Sequence, residues 1–529
     1  MGILDDIQYL GVLVTSIAAG KVRFSEERFV EREVAICDVI CGSEALVKTY
    51  PLYSYSNTKW VSVEKVFFNL GWNTVCHPCI WFSCHPSFYR DSYQRFSRFS
   101  STLVGILFAT LVSGFHVIHL FIEILINAFI IKFASHRVCH MYSLVLSFMY
   151  LLMYRFSDEL GLPIPPAHTS AIIMILTLKL IGLAFEVHDS HVKAESLTEK
   201  KALNPGFLEI FHYGLNHAGL ITGPYLKFSV WKGIYRDCWN PAVTGENEAA
   251  INTALYKRAR NIPFYIGAFL ISGYFFPLNI VETEVWIQES SFLWKLFYMM
   301  PIFFNFRMRI YAGFCLSECA CISAGVGAYP VNSNPRPGQG PRNEEALEIF
   351  DKKTEINFET VHNIDEWAAD FVPTMREALK SWNMTVQHWL VSTVYKRFPY
   401  KPLRTTAVML VSSIWHGVYS GYYLSLGSVP LFLMVEDVWV GKVRPRLSIR
   451  MQNRFDWCSW FLRMRWFDYL GMGFLLLRVK STMNYWSGVY YIGHMSLPFL
   501  YILGHIVIFI MKKMDGREQL PLPEENKNK

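Results

Sequence analysis

The chain has 529 residues, of which 52% are hydrophobic, 16% aromatic and only 18% charged, with a net charge of +7. A soluble domain carries about 25% charged residues, so this depletion, with the long apolar runs, argues against a soluble enzyme and predicts an all-α, polytopic membrane protein. The small basic excess suits anionic lipid head groups, and no basic–aromatic stripe points to nucleic acid.

Taken in order, Ile7–Gly20 reads as a short first membrane segment, with no small-residue cleavage site to mark a signal peptide. Lys21 to about Ser97 is mixed in polarity and shows neither helical nor strand periodicity. It holds five of the eleven cysteines, which as a whole are scattered and read as free thiols rather than a disulfide framework. Thr102–Lys132 is a long apolar run containing Gly114, His116 and His119. About 20 residues span a bilayer as a helix, so this run predicts one long tilted helix or two short ones broken near Gly114. Met141–Tyr154 ends at Arg155, and Gly161–Pro166 is a turn. Ala171–Phe185 follows, with Lys179 inside it and Glu186 just beyond as its expected partner. Leu208–Phe228, broken by Thr222-Gly223-Pro224, predicts an interrupted or re-entrant segment. Ile262–Phe276 and Phe292–Phe306 are further spans, the second leading into Arg307, Arg309 and the small residues of Ala312–Tyr329, which allow close helix approach.

Residues 331–380 read as the main polar loop, irregular at Asn334–Pro341 and solvated from Arg342 to Glu355. The remaining spans are Trp382–Tyr395, Thr405–Trp415, Tyr422–Val435, Trp460–Leu477 and Tyr485–Met511. The total is roughly ten to twelve membrane segments, several too short to cross alone. Residues 512–529 are polar and predict a disordered tail. No internal repeat is visible, which weighs against a repeat-built transporter.

Polar side chains at membrane depth are costly and are kept for function more often than not. His416 ends an apolar run in Trp415-His416-Gly417-Val418-Tyr419-Ser420-Gly421-Tyr422-Tyr423, and Asn383 stands thirty-three residues earlier in Ser381-Trp382-Asn383-Met384-Thr385. A lone histidine at a helix end is more often structural than catalytic. Here Gly417 and Gly421 would let backbone approach a ligand, and Tyr419, Tyr422 and Tyr423 would supply aromatic walls with hydroxyl handles. His416 then fits a general base. Asn383 cannot titrate but can orient a hydroxyl or stabilise an oxyanion; its alternative is to tie two helices together. Asn383-Met384-Thr385 is also a glycosylation sequon, discounted because it opens an apolar run. Arg307/Arg309 and Arg463/Arg465 are i, i+2 pairs that diverge on a helix. They read as interfacial anchors or, for Arg307 and Arg309, as a clamp on substrate phosphates. Cys76-His77-Pro78-Cys79 with Cys84-His85 is a poor zinc pattern, since adjacent residues ligate one tetrahedral ion awkwardly, and no metal site is expected.

The two segments around Asn383 and His416 resemble the paired signatures of the membrane-bound O-acyltransferase family, most closely its lysophosphatidylinositol acyltransferase branch. Further matching stretches are Leu176–Leu180, Thr222–Tyr225, Phe306–Arg309, Gly327–Val331, Asn363–Asp365 and Phe461–Phe474, in order, so that the resemblance covers Ile7–Gly20 and about Arg98 to Leu500. It departs at Ser420, where the family carries proline, and at Lys21–Ser97, which has no counterpart and stands as either an insert or a retained non-coding stretch. The division is therefore 1–20 first segment, 21–97 atypical stretch, 98–511 acyltransferase domain and 512–529 tail. The resemblance implies helices around an internal reaction tunnel in the endoplasmic reticulum membrane. It also implies acyl transfer from acyl-CoA, a co-substrate, to the sn-2 hydroxyl of a lysophospholipid, with no cofactor. An inositol head group and a polyunsaturated, arachidonoyl-like chain are implied by the branch alone. A protein acceptor, and a transporter, are the competing readings.

Overall fold

The computed structural model describes residues 88–157, 160–163, 165–196, 202–234, 248–347 and 354–518. The first segment, the cysteine–histidine cluster at 76–85 and the end of the tail lie outside them. The regular structure of the described residues is helical apart from one pair of two-residue strands. Five stretches are long and apolar enough to cross a bilayer: Arg98–Phe133, Ala167–Glu195, Ala250–Glu282, Ser420–Arg446 and Ile492–Lys513.

The Thr102–Lys132 run is two helices. α1 (Phe88–Ser113) and α2 (Ile118–Phe133) are joined by a 3-10 turn at Gly114–Val117. Gly114 has φ of +55°, a left-handed conformation that only glycine adopts without strain. On α2 the buried positions Leu120, Ile124, Asn127, Ala128 and Ile131 recur at helical spacing, while the opposite face exposes Ile118, Ile122, Leu125 and Phe129. A helix apolar on both faces belongs in lipid, not water. α3 (Cys139–Arg155) returns beside it.

α4 (Ala167–Ser196) is the central post, and every residue from Ile175 to Phe185 is buried. At 1.5 Å per residue its 30 residues exceed the ~30 Å hydrocarbon thickness, which accounts for a helix longer at both ends than the apolar run of the sequence. Lys179 does not pair with Glu186. Its Nζ donates to the Gly214 carbonyl at 3.3 Å and lies 4.8 Å from the centre of the Tyr213 ring. Glu186 instead accepts the backbone N–H groups of Phe228 and Ser229 at 2.7 and 3.1 Å, capping the short helix α6 (Phe228–Ile234). The expected interrupted segment is α5 (Phe207–Gly214), an irregular stretch and α6.

α7 (Glu248–Ala259) and α8 (Ile262–Phe275) pack on α10 (Phe292–Ser323), a second long post, with α9 (Glu284–Glu289) between α8 and α10. The expected polar loop is held to the body rather than free. β1 (Tyr329–Pro330) pairs antiparallel with β2 (Ile356–Asn357), and Pro335, Gly338 and Gly340 are buried. The C-terminal part of the expected loop is not loop but two short helices, α11 (Glu366–Phe371) and α12 (Met375–Ser381); beyond it come α13 (Met384–Leu390) running into a π-turn to Tyr395, and α14 (Arg404–His416). α15 (Ser420–Val438), α16 (Ile449–Leu476), α17 (Val479–Gly488) and α18 (Ile492–Glu518) complete the chain, so helix continues beyond Met511, where the tail was expected to begin.

α15 and α16 meet at Gly421. A Cβ there would sit 2.2 Å from the Gly473 carbonyl oxygen and 2.7 Å from that of Leu477. The Gly421 N–H donates to Leu477 O at 2.6 Å. The glycine therefore serves close helix packing, not the ligand approach expected of it. Gly421→Ala is expected to cost about 1–3 kcal/mol by overpacking and to lower the melting temperature of the detergent-solubilised protein. Gly427→Ala on the same helix, where a Cβ would touch nothing within 4 Å, is expected to leave it unchanged or raise it.

Candidate active site

Asn383 sits in the turn between α12 and α13 with φ 45° and ψ 55°, a left-handed conformation that asparagine tolerates. Its backbone carbonyl accepts the Gln387 N–H at 2.8 Å and so begins α13. The side chain takes no part in capping, and its Oδ1 is buried without a hydrogen-bond partner among the described residues. An orphaned buried oxygen costs about 1–3 kcal/mol. Such a cost is tolerated where a ligand supplies the missing donor.

A polar network fixes this turn from beneath. Met384 N–H donates to Asn363 O at 2.6 Å, and Thr385 Oγ1 donates to Asn363 Oδ1 at 2.6 Å while accepting the Tyr225 N–H at 3.0 Å. The fully buried Thr385 hydroxyl leaves the sequon no room for a glycan. The N–H groups of Asn363 and Ile364 donate to Glu318 Oε1 at 2.9 and 3.2 Å. Glu318 is paired with Arg258, whose guanidinium also reaches Glu366 at 2.9 Å and the Ile364 carbonyl at 2.6 Å.

His416 is the last residue of α14. Gly417, with φ 142°, ends the helix and turns the chain toward α15. The half-buried imidazole is held by rings. Phe474 stands edge-on with centroids 4.9 Å apart, Tyr422 is at 5.6 Å and Trp415 at 4.9 Å. Neither ring nitrogen bonds to any of the described residues, so both remain available to a ligand.

Two indoles set the Asn383 and His416 segments on the same support. Trp389 Nε1 donates to the Leu178 carbonyl at 3.0 Å, and Trp415 Nε1 donates to the Met174 carbonyl at 2.9 Å. The two carbonyls are one turn apart on α4. A row of rings closes the other side: Trp382, next to Asn383, stacks on Phe306 at 6.2 Å, Phe306 meets Phe474 at 5.6 Å, and Phe474 meets His416.

The remaining expected residues divide. Tyr422 touches His416, and Tyr419 packs on Tyr422 at 6.2 Å. Tyr423 has no ring contact with any of them among the described residues. Arg307 and Arg309 diverge as their spacing predicts. Arg307 is paired with Asp370 at 3.1 Å, over Phe303, and so is a structural group rather than half of a phosphate clamp. Arg309 lies over Phe306 and within electrostatic range of Tyr422, on the site. Arg463 donates to the carbonyls of Ala369, Asp370 and Val372, closing the C-terminal end of α11, and Arg465 pairs with Asp468 at 2.7 Å. Neither is a lipid-phase anchor. Ser420 is the first residue of α15, a position where proline is favoured because that N–H has no helical partner; serine and proline exchange there easily. Arg155, at the end of α3, escaped the sequence reading: a basic residue closing an apolar run has the signature of an interface anchor, yet it stands beside Gly417 and Tyr422.

A model of the membrane-bound O-acyltransferase family matches residues 167–479. A membrane-bound acylglycerophosphatidylinositol O-acyltransferase of Xenopus laevis is 35% identical over 440 residues, 79% of this chain and 90% of that protein. The human enzyme of the same name is 36% identical over 412 residues, 75% of this chain and 86% of its own length. A Drosophila melanogaster enzyme of that name is 33% identical over 439 residues, 78% and 87% of the two chains.

Removing one partner of a buried ion pair costs about 3–5 kcal/mol, more than the pair itself contributes. Glu318→Ala also strips the acceptor from two backbone N–H groups under Asn383. It is expected to lower stability by that amount in a thermal melt, and Glu318→Ala combined with Arg258→Met is expected to recover part of the loss.

Proposed function

Because the chain belongs to the membrane-bound O-acyltransferase family, we propose that it transfers a fatty acyl group from acyl-CoA to the free sn-2 hydroxyl of a lysophospholipid, in phospholipid remodelling. The acceptor is lysophosphatidylinositol, as the names of the relatives indicate for those enzymes, and the acyl chain is polyunsaturated and arachidonoyl-like. The setting is the endoplasmic reticulum membrane, crossed several times. The observation that carries this reading is the arrangement of Asn383 and His416. An orphaned amide oxygen and an unbonded imidazole stand on one aromatic wall, docked to successive turns of one helix.

The chemistry runs through those two residues. A glycerol hydroxyl is a weak nucleophile at its own pKa. His416 accepts its proton as the oxygen attacks the thioester carbonyl. The amide N–H₂ of Asn383 donates to the attacking oxygen and holds it in line, or donates to the developing oxyanion, while Oδ1 accepts from another donor of the bound substrate. The tetrahedral intermediate then collapses, the carbon–sulfur bond breaks, and the imidazolium of His416 returns the proton to the departing CoA thiolate. The enzyme ends as it began, with no covalent acyl-enzyme, and the step uses no metal or cofactor. General-base assistance supplies roughly 10²–10⁴-fold.

His416→Ala is expected to reduce acyl transfer by a factor in that range, about 10²–10⁴, in microsomes supplied with acyl-CoA and lysolipid, with the protein still inserted. Near-normal turnover would remove the general base. Asn383→Ala is expected to lower turnover more than affinity for acyl-CoA; a pure affinity loss would make Asn383 a structural residue. Offered a mixture of lysolipids and acyl-CoAs, the purified protein is expected to prefer the inositol head group and a polyunsaturated chain. Preference for another head group would move the branch assignment and leave the family standing.

A further inference from the structure

Four arginines of the described core meet anions or carbonyls: Arg258 meets Glu318 and Glu366, Arg307 meets Asp370, Arg465 meets Asp468, and Arg463 closes on three carbonyl oxygens. Arg155 does not. Its Nε is buried with no hydrogen-bond partner, and its Nη2 touches only the Met174 sulfur at 2.9 Å. A thioether is a weak acceptor and leaves the charge uncompensated. Among the described residues no carboxylate pairs with it; the groups nearest it electrostatically are the hydroxyls of Tyr422, Tyr154 and Tyr419. A charge held in apolar surroundings without a counter-ion costs several kcal/mol, a cost that an anionic ligand removes.

The place of this cation identifies the anion. A Cβ built on Gly417 would lie 3.9 Å from Arg155 Nε and 3.6 Å from the Tyr422 ring, so the guanidinium reaches the backbone directly after His416. Met174, whose sulfur meets Arg155, also supplies the carbonyl that holds Trp415. One residue of α4 thus touches both the free guanidinium and the tryptophan next to the proposed base. Either substrate could bring a phosphate. In acyl-CoA the whole pantetheine arm separates the thioester from the phosphates. In a lysophospholipid the sn-2 oxygen and the phosphorus are separated by little more than the third glycerol carbon and its oxygen. A phosphate beside His416 therefore belongs to the lysolipid.

We propose that Arg155 binds the phosphate of the lysophospholipid acceptor and so sets its sn-2 hydroxyl beside His416. The inference rests on the acyl-transfer reading above and adds a specificity-determining residue to it. The planar fork of arginine matches two phosphate oxygens, and Tyr419 and Tyr422 stand ready to donate to the same group. Absence of a side chain at Gly417 keeps the space open.

The test is steady-state kinetics of the purified full-length protein in nanodiscs, varying lysophosphatidylinositol and acyl-CoA separately, with a 1-acylglycerol as an acceptor that carries the hydroxyl but no phosphate. Arg155→Gln is expected to raise KM for the lysolipid about tenfold or more, the loss of one charge-assisted contact. KM for acyl-CoA should stay within twofold and kcat within a few-fold. The preference for lysolipid over 1-acylglycerol should fall by the same factor. Arg155→Lys, which keeps the charge and loses the fork, is expected to give the same split at smaller amplitude, and it answers the question if the glutamine variant does not fold. A rise in KM for acyl-CoA instead would assign Arg155 to a CoA phosphate. A fall in kcat with both KM values unchanged would assign it to the oxyanion. No change in any constant would make it structural. Each of these three overturns the proposal, whereas a wild-type protein that acylates no lysolipid overturns the functional reading itself.

Discussion

Two indole N–H groups hold this molecule's chemistry together. Trp389 and Trp415 donate to the carbonyls of Leu178 and Met174, four residues apart on α4, so the docking points are separated by about 6 Å along the helix axis. In an apolar interior an indole N–H without an acceptor is costly, and a helical carbonyl keeps a second lone pair after its own ladder bond. The pairing is therefore strongly favoured, and its register is fixed by the helix. Asn383 lies six residues before one tryptophan and His416 directly after the other. The spacing of the two proposed catalytic groups is thus set by a helix that contributes neither.

That arrangement demands that α4 not move. It is surrounded on every side over three turns, and its own polar groups are absorbed, Thr177 by Glu123 at 2.6 Å and Lys179 by the Gly214 carbonyl. The Asn383 turn needs a second restraint, because α13 has only seven residues and a helix that short has little stability of its own. The Arg258–Glu318–Asn363–Thr385 network provides it, with the hairpin loop packed against the same threonine: a Cβ on Gly338 would sit 3.2 Å from the Thr385 backbone. Nearly every member of that network is satisfied, which makes a buried ionic cluster a rigid support and not a liability. The left-handed backbone at Asn383 completes the device: the carbonyl begins the helix, and the side chain is left spare.

What the sequence reveals here follows the range of each interaction. The helix break at Gly114, the end of α3 at Arg155 and the span of α8 are written in neighbouring residues, as apolar runs and a glycine. Asn383 and His416 stand out for the same local reason, as polar groups in apolar company. The partners of charged residues are different. Arg307 finds Asp370, Lys179 finds Gly214 and not the nearby Glu186, and Arg397 reaches Asp189 at 2.5 Å across more than two hundred residues. Such choices depend on which helices become neighbours, and no single-segment pattern carries that. Gly421 was legible as a close approach, but whether to a ligand or to another helix was decided by α16. The expected loop at 331–380 shows the opposite failure: its polarity and prolines hide a strand, short 3-10 turns and the two helices α11 and α12, and its glycines and prolines become buried without apolar residues to announce it.

The distribution of charge then separates scaffold from site. Away from Asn383 and His416 the buried ionic groups meet partners within the chain, as a low-dielectric interior requires. Around His416 the neighbours are rings and hydroxyls, and Arg155 meets no carboxylate among the described residues. A guanidinium without a carboxylate repels no anion and attracts one. It suits an acceptor that carries a phosphate and a transition state that gathers negative charge on oxygen, both in a space from which apolar side chains exclude water. The imbalance that would destabilise an empty core is the same feature that allows a charged head group to be held at membrane depth.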